Sequence, residues 1–198
     1  MNRYGLELIL GDRERGKTTL GVLEMVSKLD SLLYLKGYGN ITIDHPKYKK
    51  IRYEDLHKLR EPAPNGVPTA LLYLDQLHKY LDSRQPMSPR NKYVNDVMIE
   101  SRQHGFDVTG TTWGYSFIDL RYRKFANLEI QAKRLSSAFL YKFWDRERMR
   151  IWQKRLSFED CEKRWFHYFD TAELVEDIDP RWDPRLNEAP KSALKRKA

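Results

Sequence analysis

An eight-residue stretch near the start of the chain, residues 11–18 with the sequence GDRERGKT, fits the pattern G-x-x-x-x-G-K-[ST]. A short apolar run comes directly before it, and residues 17–29 carry apolar side chains at helical spacing. In this pattern the glycines let backbone N–H groups point at phosphate oxygens, Lys17 reaches the β- and γ-phosphates, and Thr18 offers its hydroxyl to Mg²⁺. The stretch therefore predicts a nucleotide-binding strand, loop and helix. The alternative is an ordinary tight turn of an α/β protein.

The expected nucleotide contacts extend over the whole loop and the first turn of the helix. They are Gly11, Asp12, Arg13, Glu14, Arg15, Gly16, Lys17, Thr18 and Thr19. The adjoining charges at positions 13–15 are unusual for such a loop, and they either face solvent or contact a neighbouring subunit. Lys17 is also expected to be catalytic, because phosphoryl transfer depends on stabilising charge on the transferred group.

A second apolar run, residues 69–74, ends at Asp75 and Gln76. Given a phosphate loop, this is typical of the Walker B arrangement, in which an aspartate on a strand next to the loop holds the magnesium ion. Thr18 and Asp75 are therefore predicted metal ligands; otherwise Asp75 only terminates a buried strand. Gln76 stands where many such ATPases carry a glutamate. A carboxamide can hold a water molecule but cannot take its proton.

Strand-like and helix-like segments alternate through residue 112, which favours an α/β fold with a mostly parallel central sheet flanked by helices. The predicted segments are strands at 6–10, 31–35, 69–74 and 106–112, an extended segment at 41–46, and helices at 17–29, 53–60, 92–104 and 159–164. Three further strands, at 128–135, 137–144 and 148–156, predict an antiparallel appendage whose last two strands form a hairpin.

Length and composition fit one domain. The 198 residues, 40% of them hydrophobic, suffice for a single core, and we expect one domain over residues 1–175 followed by a polar, proline-interrupted tail at 176–198. The single cysteine, Cys161, excludes an internal disulfide and favours a reducing compartment. No run approaches the ~20 apolar residues of a transmembrane helix, so we expect a cytoplasmic protein without a transmembrane segment.

The strand predicted at residues 106–112 ends in Thr111 and Thr112, where a polar sensor would face the γ-phosphate between the two nucleotide motifs. Strand propensity alone explains two threonines nearly as well. Near this strand, Arg102, Arg121 and Arg123 are candidates for an arginine that enters the γ-phosphate site of a neighbouring subunit. Each of these arginines, taken alone, is more often a surface charge.

Positive charge is concentrated in the second half of the chain. The formal net charge is +8, and residues 121–155 hold eleven Lys/Arg against three Asp/Glu. Such clustering favours a polyanion such as DNA, and a solvated basic face explains the charge equally well. The DNA-contact candidates are Lys133, Arg134, Arg148 and Arg150. The aromatic residues at 139, 141 and 143 have the period-two spacing of strand core residues.

The order of these parts resembles the FtsK–HerA superfamily of P-loop ATPases, and especially its viral genome-packaging branch from archaeal and membrane-containing viruses. The resemblance rests on the phosphate loop, the strand ending in Asp75, the passage SRQHGFDVTGTTWGYSFIDLRYR and the later segment HYFDTAELV. It covers about residues 5–175. Of these motifs, only the phosphate loop is specific in itself.

This resemblance implies a RecA-like sheet in a ring homo-oligomer, usually a hexamer, that uses ATP and Mg²⁺ to thread double-stranded DNA. It assigns Gly11, Gly16, Lys17 and Thr18 to the phosphate loop, Asp75 to the Walker B position, and Arg102 or Arg121 to the trans-acting arginine. It also implies a capsid vertex or viral membrane protein as docking partner, and a location in the host cytoplasm or the virion.

Two departures from the family pattern bear on hydrolysis: Gln76 replaces the usual glutamate, and Trp113 stands where the family often has glutamine. The first function hypothesis is an ATP-driven translocase that packages a viral genome into a preformed capsid. The second is a nucleotide-gated assembly module that binds ATP with little or no turnover. A small-molecule kinase fits less well, because basic strands rather than an arginine-rich helical lid follow the sensor strand.

Overall fold

A single eight-stranded sheet dominates the computed structural model, which describes residues 5–85, 88–170 and 173. The strands are β1 Leu6–Leu10, β2 Lys36–Gly39, β3 Tyr48–Lys50, β4 Ala70–Leu74, β5 Phe106–Thr112, β6 Leu128–Arg134, β7 Ala138–Asp145 and β8 Arg150–Ser157. Their order across the sheet is β3-β2-β4-β5-β1-β6-β7-β8. The first six strands in this order run parallel, and β7 and β8 are antiparallel additions. The predicted α/β architecture with an antiparallel appendage is confirmed.

Strands β1, β4 and β5 are buried along their whole length, as expected for strands covered on both faces. The helices are α1 Lys17–Asp30, α2 Pro89–Ile99, α3 Leu120–Phe125 and α4 Phe158–Arg164. Side-chain caps begin the last three helices, whereas no described side chain caps α1. The first N–H groups of α1 are therefore available to an anion. None of the described helices is long and apolar enough to cross a membrane.

The second strand differs from the prediction. Residues 31–35 form a turn in which two leucines are largely exposed, and β2 occupies the four residues that follow. Its glycines are required by close packing, since a Cβ on Gly37 would lie 2.7 Å from Met25 Sδ on α1. Strand propensity therefore pointed to the wrong segment, because contact with α1 selects for small residues here.

Several helix and strand boundaries also differ. Residues 41–46, predicted as extended, contain no strand, and β3 follows them. The helix predicted at 53–60 is a 3₁₀ helix at Tyr53–Lys58. The helix predicted at 92–104 is α2, which begins earlier because Ser88 caps it and a proline fits its first turn. The short helix α3 was not predicted, and the predicted tail at 176–198 lies outside the described residues.

The antiparallel appendage joins the parallel sheet through the pairing of β1 with β6, in which Leu10 lies opposite Gln131. As predicted, a turn at residues 146–149 joins β7 and β8 into a hairpin. One face of these strands packs in a second apolar cluster with Leu20 of α1 and Cys161 of α4. The aromatic residues at 139, 141 and 143 belong to this cluster, which confirms that they are core residues.

A buried ion pair fastens α1 to the sheet. Lys28 Nζ lies 2.7 Å from Glu7 Oε1 of β1, and Thr109 of β5 donates a hydrogen bond to Glu7 at 2.8 Å. Burial opposes the charge of Lys28, but Glu7 and other nearby carboxylates raise its pKa, so the ammonium stays protonated. The helix that begins at the phosphate loop is thus anchored to the strand that precedes the loop.

Candidate nucleotide site

Three strand ends meet at one edge of the sheet. Because β1, β4 and β5 run parallel, the residues that follow them lie side by side at their carboxyl ends. Strand β5 lies between the other two. The strand that leads to Asp75 is therefore not the direct neighbour of β1, whereas the sequence had suggested that it was. The polar end of β5 lies between the two nucleotide motifs, as predicted.

The phosphate loop, residues 11–16, is held from both sides. The Gly11 N–H donates to the Thr112 carbonyl at 3.2 Å, and the Tyr141 hydroxyl donates to the Gly16 carbonyl at 2.8 Å. Gly16 has a φ of 79°, and a Cβ there would lie 2.6 Å from the Phe139 ring. Only glycine fits at this position, and the appendage contributes directly to the shape of the loop.

Lys17 and Thr18 stand at the start of α1. Lys17 Nζ donates to the Asp12 carbonyl at 2.7 Å, and Thr18 Oγ1 donates to Asp75 Oδ1 at 3.1 Å. Burial lowers the pKa of Lys17, while the charges of Asp75 and Asp12 oppose that change. Thr19, also an expected nucleotide contact, is buried in the same turn.

The oxygens of Thr18 and Asp75 are suited to Mg²⁺, which prefers hard oxygen ligands. Mg²⁺ also keeps several of its waters and takes few ligands from a protein, so two adjacent oxygens fit it. The described residues contain no group of three or more His, Cys, Asp or Glu side chains that could hold a metal. The candidate ion site is the pair at positions 18 and 75, on the chemistry of its two oxygens.

Asp75 is fixed by its neighbours. Asn40 Oδ1 accepts from the Asp75 N–H at 2.7 Å, and Asn40 Nδ2 donates to the Asp75 carbonyl at 2.8 Å. The carboxylate Oδ1 accepts from the Tyr73 hydroxyl at 2.9 Å and from Thr111 Oγ1 at 2.7 Å. Burial and the charge of Asp75 raise the pKa of Tyr73, so this hydroxyl remains a donor.

Gln76 follows in a left-handed conformation, with a φ of 53°. Its N–H donates to Thr111 Oγ1 at 3.0 Å, so one hydroxyl joins the backbone of Gln76 to the carboxylate of Asp75. Thr112, the sensor residue that we had expected to contact nucleotide, has a buried Oγ1 without a hydrogen-bond partner among the described residues. The two threonines therefore differ: the Thr111 hydroxyl binds Asp75, whereas the Thr112 hydroxyl is buried and makes no hydrogen bond to the described residues.

An aromatic stack lies beside this edge. The His78 ring contacts Trp113, the residue that follows β5, with 4.3 Å between ring centroids, and the Arg13 guanidinium lies 5.1 Å from the Trp113 centroid. Burial lowers the pKa of His78, and the charges of Lys17 and Lys79 lower it further. Trp113 thus joins the loop after Asp75 to the phosphate loop.

A cavity of about 510 Å³ adjoins the phosphate loop on the side of β6. Its walls include Asp12 and Arg15 of the loop, Trp113, and Gln131 and Lys133 of β6. Its volume is in the range of small-ligand sites. Lys133, a DNA-contact candidate, therefore also lies next to the nucleotide motif.

Neither the protein-family models nor the curated protein sequences compared with this chain give a match. Solved structures do match. The N-terminal domain of zonular occludens toxin from Neisseria meningitidis has a TM-score of 0.56 and 17% identity, over 85% of this chain and 100% of that one. The genome packaging NTPase B204 from Sulfolobus turreted icosahedral virus 2, in complex with ATP-gammaS, has a TM-score of 0.56 and 14% identity, over 77% and 98%. The chain has the P-loop NTPase fold.

The three arginine candidates differ in their surroundings, and Arg102 lies away from the phosphate loop. Arg102 Nε lies 3.3 Å from Asp107 Oδ1, near the amino end of β5, and β5 is seven residues or about 20 Å long. Arg121 donates to both carboxylate oxygens of Asp119, at 3.0 and 2.9 Å. Arg123 lies within α3 and is half-buried. Arg102 can therefore act at a phosphate loop only in another subunit.

The four DNA-contact candidates do not form one surface. Lys133 and Arg134 are consecutive on β6 and so point to opposite faces. Arg134 pairs with Glu14 of the phosphate loop at 3.6 Å, and Arg148 pairs with the buried Asp145 at 2.9 Å. Arg150 is exposed opposite Asp145 at the start of β8. Their assignment to DNA remains a prediction.

Sequence reasoning missed several residues of the P-loop site: Asn40, Tyr73, His78 and Tyr141. Tyr73 had a usable signal, because residues two apart on a strand share a face and Tyr73 stands two before Asp75. Asn40 is 35 residues from Asp75 and Tyr141 is 125 residues from Gly16. No local pattern reports contacts over such separations.

Proposed function

We propose that this protein is a Mg²⁺-dependent ATPase of the FtsK–HerA superfamily that drives double-stranded DNA during viral genome packaging. The observation that carries the proposal is the 3.1 Å contact between Thr18 Oγ1 and Asp75 Oδ1, beside Lys17. It joins the phosphate loop to the Walker B aspartate, as a magnesium-dependent P-loop enzyme requires. The shared fold with a genome packaging NTPase supports the choice of reaction.

In this proposal each residue of the site has a task. Backbone N–H groups of the loop and of the start of α1 bind phosphate oxygens, and the Lys17 ammonium stabilises charge on the β- and γ-phosphates. Thr18 and Asp75 would hold Mg²⁺, which would neutralise charge on the transferred phosphoryl group. Thr111, Tyr73 and Asn40 keep the Asp75 carboxylate in place.

Gln76 orients the attacking water in this scheme. Its carboxamide offers both a donor and an acceptor to a water molecule. A loose transition state requires positioning and charge stabilisation more than early removal of the proton. In other P-loop enzymes a glutamine positions the attacking water in this way. Turnover is therefore compatible with the missing Walker B glutamate.

We further propose a ring homo-oligomer, with a hexamer as the expected size. A second subunit is the source of the trans-acting arginine, because Arg102 lies at the far end of β5 from its own phosphate loop. Arg121 serves only if it exchanges Asp119 for a phosphate, since both carboxylate oxygens now accept from it.

An ATPase assay with and without duplex DNA tests the proposal. We expect turnover that requires Mg²⁺, rises with DNA and is lost in Lys17→Ala. Lys163→Ala is the matched control, because it removes the same charge from an exposed site on α4 and should retain full activity. Binding of ATP without turnover would instead support a nucleotide-gated module, and phosphate transfer to a small acceptor would contradict both.

A further inference from the structure

The antiparallel appendage has one face that is not packed against the core. Alternate residues of a strand point to opposite faces, and the register of β6, β7 and β8 places one set of side chains opposite the apolar cluster. We name this set the open face. It consists of Gln131, Lys133, Leu140, Lys142, Trp144, Ile151, Gln153 and Arg155, and all except the half-buried Leu140 are exposed.

The open face is positively charged. Lys133, Lys142 and Arg155 belong to it, and none of the three forms an ion pair within the described part of the chain. On the same side of these three strands, the carboxylate is that of Glu129, which is buried and paired with Arg146. Three cations therefore stand on a flat surface without a neutralising partner there.

The spacing of these cations suits a phosphate backbone. Lys133 lies opposite Leu140, and Leu140 lies opposite Arg155, whereas Lys142 lies in the next row of the same face. Diagonal neighbours on a sheet face are about 7–8 Å apart. Two nucleotide steps of one DNA strand advance about 7 Å along the helix axis. Lys142 and each of its two diagonal neighbours are thus spaced to contact phosphates two steps apart on one strand.

The composition favours DNA over a protein partner. Lysine is depleted at the cores of protein interfaces, whereas two of the three central cations here are lysines. The exposed apolar side chains, Trp144 and Ile151, are confined to one end of the face, opposite each other on β7 and β8. Amides at Gln131 and Gln153 occupy the middle row and can donate to phosphate oxygens.

We propose that the open face binds the phosphate backbone of double-stranded DNA. This inference rests on the proposed function and selects one of two basic faces of the appendage. The face also continues into the cavity beside the phosphate loop, because Gln131 and Lys133 line both. DNA on this face would therefore lie next to the nucleotide motif.

Adjacent residues on opposite faces provide a matched test. The variant Lys142→Gln/Arg155→Gln removes two charges from the open face. Its control, Arg150→Gln/Lys154→Gln, removes two charges from the opposite face of β8. Both are compared with the wild type by fluorescence anisotropy, with a short labelled duplex of mixed sequence and a series of salt concentrations. Thermal unfolding confirms that both variants are folded.

We expect the open-face variant to lose about tenfold or more in duplex affinity, and its slope of log K against log salt to fall by roughly two, because two phosphate contacts are gone. The control should bind as the wild type does, which would remove Arg150 from the predicted DNA contacts, because it lies on the opposite face. ATPase activity without DNA should be unchanged in both variants, and stimulation by DNA should be lost in the open-face variant alone.

Three outcomes would overturn the inference. Equal loss in both variants would show binding to diffuse charge. Unchanged binding in the open-face variant would remove this surface from the DNA path. A change in subunit number by mass photometry, confined to the open-face variant, would show that another copy of the chain covers the face. In each case Lys17-dependent, DNA-stimulated turnover by the wild type would leave the proposed function standing.

Discussion

Asn40 brackets the backbone of Asp75, with its side-chain oxygen 2.7 Å from the Asp75 nitrogen and its side-chain nitrogen 2.8 Å from the Asp75 carbonyl oxygen. The amide thus continues the hydrogen bonding between β2 and β4 beyond the last paired residues, Gly39 and Tyr73. The position of the predicted metal ligand is set by a side chain from the neighbouring strand end.

Replacing Asn40 by alanine should weaken both folding and nucleotide hydrolysis. Asn40 is buried, and its loss leaves the N–H and C=O of Asp75 without partners, at a cost of about 1–3 kcal/mol for each group left unsatisfied. Denaturant unfolding and the ATPase rate measure the two effects. Asn40→Asp keeps the acceptor and loses the donor, so it should be intermediate in stability. Wild-type stability in Asn40→Ala would contradict the assigned role.

Thr111→Val should reduce magnesium-dependent activity, because it removes the hydroxyl that joins Gln76 N–H to the Asp75 carboxylate. Thr111→Ser keeps that hydroxyl and is the matched control. We expect the apparent Mg²⁺ affinity, measured by titrating the ATPase rate, to fall in the valine variant alone. Equal activity in the two variants would mean that strand propensity, and not the hydroxyl, accounts for threonine here.

Gly21→Ala should lower both stability and ATPase activity. A Cβ at Gly21 would overlap the Tyr73 ring, whose hydroxyl donates a hydrogen bond to Asp75. Overpacking of a core typically costs about 1–3 kcal/mol. Gly114→Ala is the control, since a Cβ there meets Phe117 only at 3.8 Å. Thermal unfolding and ATPase assays should show loss in the first variant only; equal behaviour would mean that Tyr73 can shift freely.

Gln76→Glu should increase the rate of hydrolysis, because a carboxylate can accept the proton of the attacking water and a carboxamide cannot. Single-turnover ATP hydrolysis measures the effect. Gln103→Glu, which makes the same change at an exposed position, should have no effect. Loss of activity in Gln76→Glu would show that the amide NH2 donor, which glutamate lacks, is required to position the water.

Stability should fall as the pH drops below about 6.5, in part because of His78. Burial and two nearby lysines lower its pKa from the usual 6.5, so the unfolded chain takes up a proton that the folded chain resists. The loss is at most about 1.4 kcal/mol per pH unit. This loss of stability is absent at pH values above the pKa of His78 in the unfolded chain, and it is complete below the pKa of His78 in the folded protein.

Denaturant unfolding between pH 5 and pH 7.5 checks this. His78→Phe keeps a ring against Trp113 and should flatten the acid limb relative to the wild type. Burial also lowers the pKa of His104. The variant His104→Gln is therefore measured alongside, to separate the contributions of the two histidines. An unchanged acid limb in His78→Phe would remove His78 as a cause.

The phosphate loop and Asp75 could be predicted because each is defined by residues at fixed offsets on one short segment. Strand β2 could not, because Gly37 is required by packing against α1 and Gly39 by close contacts with Tyr48 and Tyr73. Asn40 and Tyr141 reach the site from strands far away in sequence, so their roles follow only from the sheet order. The basic residues were correctly noticed as a group, but grouping them by sequence mixed two faces, as the neighbours Lys133 and Arg134 show.

The pairing of β1 with β6 sets the distance between the phosphate loop and the open face. Leu10, the last residue before the phosphate loop, lies opposite Gln131 of the open face, and paired strands are about 4.8 Å apart. Under the proposed function, a movement of the loop during ATP turnover would reach β6, which carries part of the open face, through one row of backbone hydrogen bonds. Under the proposed function, nucleotide site and DNA-binding face would be coupled directly, across one pair of neighbouring strands.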